Sequence, residues 1–166
     1  MSDVLALSTL GAGLGTGAAI DLRCRRIPNV VSLTTAAAGL GLALTGVGAV
    51  TPRAALLGMG IGLLLMLPAH LIGGMGAGDV KLFAAAGAVL GSGQIVRAFL
   101  FVMIAGGVLA LVVAARRGRL ARTWAALGLL WGRPAAGRAA IESTGENNRF
   151  AYGPAIAAGC LLAALF

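Results

Sequence analysis

Uncharged apolar runs, separated by short gaps that hold nearly every charge, set the pattern of this chain. Residues 4–20 form the first, a glycine-rich run of 17 residues. That is the short limit for a helix crossing hydrocarbon about 30 Å thick. Residues 30–50 carry no charge and predict a second span, and residues 54–72 predict a third. Between them Thr51-Pro52-Arg53 reads as a turn, with Pro52 suited to the first turn of a helix, where its missing N–H has no partner to lose. Residues 82–96 are apolar but short, interrupted by Gly91-Ser92-Gly93-Gln94, and read either as a fourth helix reaching the far face or as a re-entrant element. Residues 98–115 predict a clearer span and residues 150–166 a last, short one. The runs are continuously apolar rather than alternating, which predicts helices and not a β-barrel. The expected fold class is all-α, a polytopic membrane protein of about six transmembrane helices forming a single domain over residues 1–166.

Composition agrees. Hydrophobic residues make up 59% of the chain and mean hydropathy is +0.97, too apolar for a soluble domain of this size. Twenty-seven glycines fit helices that approach through small faces, because lipid supplies no hydrophobic drive between them. The formal charge of +8 sits in the gaps between runs, so it marks sidedness and a bilayer partner rather than nucleic acid. With six crossings, Arg53 and Arg97 fall on one side and the other 11 of 13 basic residues on the cytoplasmic side, with both termini outside. The first run is expected to be retained, since Asp3 stands where a signal peptide carries Lys or Arg. Residues 116–149 form a polar-tolerant cytoplasmic loop in which Trp124 and Trp131 share a helical face, either an interfacial helix or a loosely ordered linker. Cys24 and Cys160 form no CxxC pattern, and His70 lies alone in an apolar run as a packed or interfacial residue, so no metal site and no cofactor is expected.

Candidate chemistry comes from the acids, of which there are five. Asp3 is near the N-terminus, and Glu142 and Glu146 fall in a polar segment. Asp21 and Asp79 each stand at the end of an apolar run, on the same predicted side. An ionisable group at the edge of hydrocarbon costs roughly 2.5 to 3.5 kcal/mol on insertion scales and therefore needs a reason. Two carboxylates that share a proton supply one: the ionised member deprotonates a water while the protonated member polarises a peptide carbonyl. The surrounding Gly73, Gly74, Gly76 and Gly78 would let backbone approach an extended substrate and adopt dihedrals closed to other residues. The plainer alternative is that both acids cap helices or pair with Arg23 and Lys81.

Three segments in order, Asp-Leu-Arg-Cys-Arg-Arg-Ile-Pro-Asn at 21–29, Gly-Met-Gly-Ala-Gly-Asp-Val-Lys-Leu at 74–82 and Tyr-Gly-Pro-Ala-Ile-Ala-Ala-Gly at 152–159, resemble the type IV prepilin peptidases. These also resemble the preflagellin peptidases and share the GxGD pattern with presenilin-like proteases. The resemblance implies a GxGD-type aspartic protease core with Asp21 and Asp79 as the catalytic pair, no cofactor, and a prepilin or pseudopilin as substrate, cut at the cytoplasmic face of the inner membrane. Gly76 and Gly78 would shape the site, with Arg23, Pro28 and Asn29 of the first motif beside it. Lys81 would hold the Asp79 loop, meet substrate or snorkel to the interface, and Tyr152, Gly153 and Pro154 would pack near the site. The chain starts at its first span without the N-terminal region of the bifunctional members, and so resembles the short, peptidase-only forms of tight-adherence (Flp-type) pili, with no methyltransferase activity expected. Rival readings are a noncatalytic scaffold of a pilus or secretion machine and a small proton-coupled transporter. Oligomeric state is left open.

Overall fold

The computed structural model describes residues 2–116 and 152–165, which are helices joined by turns. In chain order they are α1 (Ser2–Cys24), α2 (Asn29–Leu44), α3 (Pro52–Leu71), α4 (Ala77–Arg116) and α5 (Gly153–Leu165). The chain divides into two units, Met1–Gly106 with Ala151–Phe166, and Gly107–Phe150. Of the second unit, the described part is the end of α4, residues 107–116. The segment expected to be an interfacial helix, with Trp124, Trp131, Glu142 and Glu146, lies outside the described residues.

Helix ends follow from local chemistry. α1 continues a turn beyond the apolar run, so Asp21 sits inside the helix rather than after it. Arg23 lies in that last turn, where a cation complements the exposed carbonyls. The chain leaves α1 through Arg25 at φ +52°, and Pro28 takes extended dihedrals before α2 begins at Asn29. α2 stops at Leu44, short of the expected residue 50, because Thr45 closes the last turn and Gly46 at φ +68° leaves helical space. α3 begins as expected: Thr51 is its N-cap, accepting from Ala54 N at 3.3 Å, and Pro52 opens the helix. It ends in a Schellman motif, with Gly73 N donating to His70 O at 2.9 Å and Gly74 N to Ala69 O at 3.0 Å, Gly73 supplying φ +78°. Gly73 and Gly74 thus serve a helix stop, and the left-handed freedom expected of all four glycines is used by Gly73 alone among them.

α4 is a hairpin. Phe83 and Phe99 have ring centroids 6.2 Å apart, whereas a straight helix would separate residues sixteen positions apart by about 24 Å. The reversal is at Gly91, whose φ of 74° and ψ of 173° fall in a region open essentially to glycine. Both arms accordingly reach the same glycine of α3: a methyl on Gly62 would stand 3.3 Å from Ala84 Cα and 3.4 Å from Ile95 Cγ1. Residues 82–96 thus lie in an arm that turns at Gly91 and returns as helix.

The first arm of α4 is the core of the unit. Every residue from 82 to 90 is buried. Small residues make this possible: a Cβ on Gly58 of α3 would collide with Gly87 O of α4, and one on Gly39 of α2 would stand 2.9 Å from the Ala88 carbonyl carbon. Leu33, Leu57 and Leu64 stand exposed on the outer faces, as suits helices surrounded by lipid. α1, α3 and α4 are long and apolar enough to cross a membrane, while α2 and α5 are shorter apolar helices. Against the expected count of about six spans, three helices among the described residues have the length to cross, one of them folded back on itself.

Candidate active site

Asp21 and Asp79 come from different helices and are both buried, at 6% and 7% exposure. They lie within Coulombic reach of each other, and Asp79 within that of Tyr152. Asp79 occupies the first turn of α4, where a carboxylate is favoured by the helix dipole. Its Oδ2 accepts from Gly76 N at 3.2 Å, and Asp79 N donates back to Gly76 O at 3.1 Å. This is the acidic half of a capping box, the N3 side chain reaching back to the N-cap N–H, with Gly76 in the cap position and lacking the side chain that would complete it. The other oxygen, Oδ1, is buried without a hydrogen-bond partner among the described residues. A buried polar atom in that state is costly and marks a place where a ligand or water would bind.

Asp21 faces the opposite problem. In the last turn of α1 its carboxylate sits at the unfavourable end of its own helix. It is held there by another helix: Oδ2 accepts from Gly153 N, the first residue of α5, at 2.9 Å. The approach requires glycine, since a Cβ at Gly153 would stand 3.0 Å from both Asp21 Cβ and Oδ2 and 3.1 Å from Ala18 Cα. Tyr152 precedes this contact and is half-buried. Burial, and after it the charge of Asp79, push its phenol above the ordinary range.

The other expected residues divide into two groups. Gly78 packs against the link between α1 and α2, where a Cβ would meet Ile27 Cβ at 3.1 Å. Lys81 Nζ donates to Asn29 Oδ1 at 3.1 Å, tying the start of α4 to the start of α2, and Pro28 is the N-cap of α2. Gly78, Lys81 and Asn29 therefore brace the two acidic segments together, while Gly76 and Pro28 act within their own segments. Arg23, by contrast, is exposed. His70, expected to be merely packed or interfacial, has its Nδ1 2.9 Å from Met75 O and so holds the loop leading to Asp79. The only hint of this in the sequence was its position at the end of an apolar run, six residues before Gly76. Among the described residues no group of three or more His, Cys, Asp or Glu is gathered to hold a metal ion.

A bundle of apolar helices holding two buried carboxylates within Coulombic reach of each other defines a multi-pass membrane protein with an acidic site. The family model of the type IV leader peptidase family matches residues 8–111, and the chain belongs to that family. Its activity is accordingly that of a leader peptidase acting on a protein substrate. The match spans α1 to most of α4 and both aspartates, and stops before α5 and Gly153. Neither the curated proteins nor the solved structures give a match to this chain.

Proposed function

We propose that this protein is an aspartic endopeptidase that removes the short basic leader from type IV prepilins or pseudopilins of the Flp type, with Asp21 and Asp79 as the catalytic pair. The observation that carries the proposal is that two buried acids from separate helices lie within Coulombic reach of each other, each with one oxygen held by a glycine amide. One carboxylate takes a proton from water as the water oxygen bonds to the scissile carbonyl carbon, and the other, protonated, donates to the carbonyl oxygen. Collapse of the tetrahedral intermediate breaks the C–N bond, and the leaving nitrogen takes a proton from the pair. The two roles belong to the pair rather than to either residue. The site faces the cytoplasm in this scheme, supported by the gathering of basic residues in the gaps that the sequence puts on the aspartate side.

The test is cleavage of a co-expressed pilin precursor by wild type, Asp21→Asn and Asp79→Asn, with membrane levels compared by blot. Shortening by wild type and by neither variant is expected. Undiminished cutting by both variants would remove the dyad, and proton-dependent flux without cleavage would favour a transporter.

A further inference from the structure

We propose that His70 is a positioning residue for Asp79, acting through the peptide unit between Met75 and Gly76. This rests on the role given to Asp79 above. The carbonyl of that unit, Met75 O, lies 2.9 Å from His70 Nδ1, and its N–H, on Gly76, donates to Asp79 Oδ2 at 3.2 Å. One peptide plane is therefore gripped on both edges. Because the plane is rigid, a hydrogen bond that fixes the carbonyl also fixes the direction of the N–H. Because the amide is conjugated, a donor on its oxygen draws charge away from the nitrogen and strengthens the N–H as a donor, a cooperative gain of roughly 10–30% per bond.

The surroundings give this link its leverage. His70 stands in the last turn of α3, anchored by the Schellman closure at Gly73 and Gly74, so the imidazole is presented from a fixed helix end. The Gly76 amide is the hydrogen bond that aims the carboxylate, since Asp79 Oδ1 has no partner among the described residues. A swing of the Met75–Gly76 plane would therefore turn Oδ1 away from where Asp21 and a substrate carbonyl would meet it. Met75 O can only accept, so the contact requires the proton on His70 Nδ1. In the neutral ring that leaves Nε2 bare.

His70 is the only histidine in the chain, so a 15N spectrum of histidine-labelled protein in bilayers reports this ring alone. For the neutral ring the expected result is a protonated Nδ1 and an unprotonated Nε2, with the Nδ1 resonance moved in Asp79→Asn, where loss of the carboxylate charge relaxes the polarised peptide. An Nε2–H tautomer, or an Nδ1 resonance indifferent to Asp79→Asn, overturns the proposal, and both are readable whether or not the protein cleaves prepilin. Kinetics on prepilin complete the test with His70→Phe, which fills the space without a donor, and His70→Asn, whose amide nitrogen can stand where Nδ1 does. The Phe variant should lose about five- to tenfold in kcat with KM within about twofold, the size of one hydrogen bond, and the Asn variant should recover most of it. Equal loss in both variants, or full activity in the Phe variant, overturns the proposal. Failure of wild type to cut any pilin precursor would instead remove the proposed function and leave the spectra to judge the His70 contact.

Discussion

Asp21 and Asp79 carry the same side chain at opposite ends of their helices, and they are held in opposite ways. Asp79 is placed locally: it sits at the favourable end of α4 and takes its hydrogen bond from three residues upstream. Asp21 is placed by the fold: it sits at the unfavourable end of α1 and takes its hydrogen bond from the start of α5. A carboxylate at a helix terminus gains or loses roughly 0.3–1 kcal/mol from the dipole when exposed and up to about 2 in partly buried geometry. For Asp21 the cost from α1 is offset by the gain at α5. The pair thus consists of one acid built into a loop and one that exists only once distant segments have packed.

The sharpest way to break this comparison is to neutralise each acid in turn. Asp21→Asn and Asp79→Asn should each lower kcat by roughly 10²–10⁴-fold, the range for loss of an acid–base group. Their stabilities should diverge. Asp21→Asn keeps an acceptor for Gly153 N but loses the charge that caps α5, so thermal melting in detergent should fall. Asp79→Asn removes the charge from a group with one buried, unpartnered oxygen and should melt at or above wild type. Equal destabilisation by both would show that the two settings do not differ as described.

Next in size are the glycines that hold the two oxygens. Gly153→Ala puts a methyl 3.0 Å from Asp21 Cβ and 3.1 Å from Ala18 Cα, backbone-anchored atoms that cannot yield without moving a helix. A loss of roughly 1–3 kcal/mol from overpacking is expected, with kcat down about 10- to 100-fold as the carboxylate is displaced. Gly76→Ala meets Asp79 Oδ2 at 3.1 Å and little else. That oxygen is the free end of a side chain, so the variant should stay folded and lose less activity than Gly153→Ala. Cleavage rates and melting curves for the two variants decide the order.

What could be read in the sequence follows the same division. The setting of Asp79 was within reach of the sequence only as the plainer alternative of a helix cap, since Gly, Ala and Asp at a helix start are local chemistry, whereas Thr51-Pro52 announced α3 directly. The Asp21 contact with Gly153 joins residues 132 positions apart, and only the resemblance, not the residues themselves, put Gly153 near the site. The end of α2 was overrun because residues 45–50 are uncharged yet turn at Gly46, and hydropathy is blind to a glycine dihedral. The helix stop at Gly73 and Gly74 went unread for a related cause: an acidic motif nearby invited a substrate role for glycines that close α3. Even the hairpin in α4, hinted at by Gly91-Ser92-Gly93, needed the ring contact of Phe83 and Phe99 to establish its reversal.

The smallest expected effect concerns the brace between the two segments. Lys81 is exposed, and its 3.1 Å bond to Asn29 Oδ1 competes with water at both partners. Exposed polar contacts of this kind are worth well under about 1 kcal/mol. Gly78 against Ile27 joins the same two segments through close packing that water cannot replace. Lys81→Met and Asn29→Ala should therefore each leave melting nearly unchanged, and a double-mutant cycle between them should give a coupling below about 1 kcal/mol. Activity is the more sensitive gauge, because a small drift of α4 relative to α2 moves Asp79 relative to Asp21. A loss of about twofold to fivefold in kcat, equal in the single and double variants, is expected if the bond serves alignment. Additive losses would mean that Lys81 and Asn29 act separately, Lys81 then meeting substrate on its own, and the alignment of the two acids would rest on the glycine contacts alone.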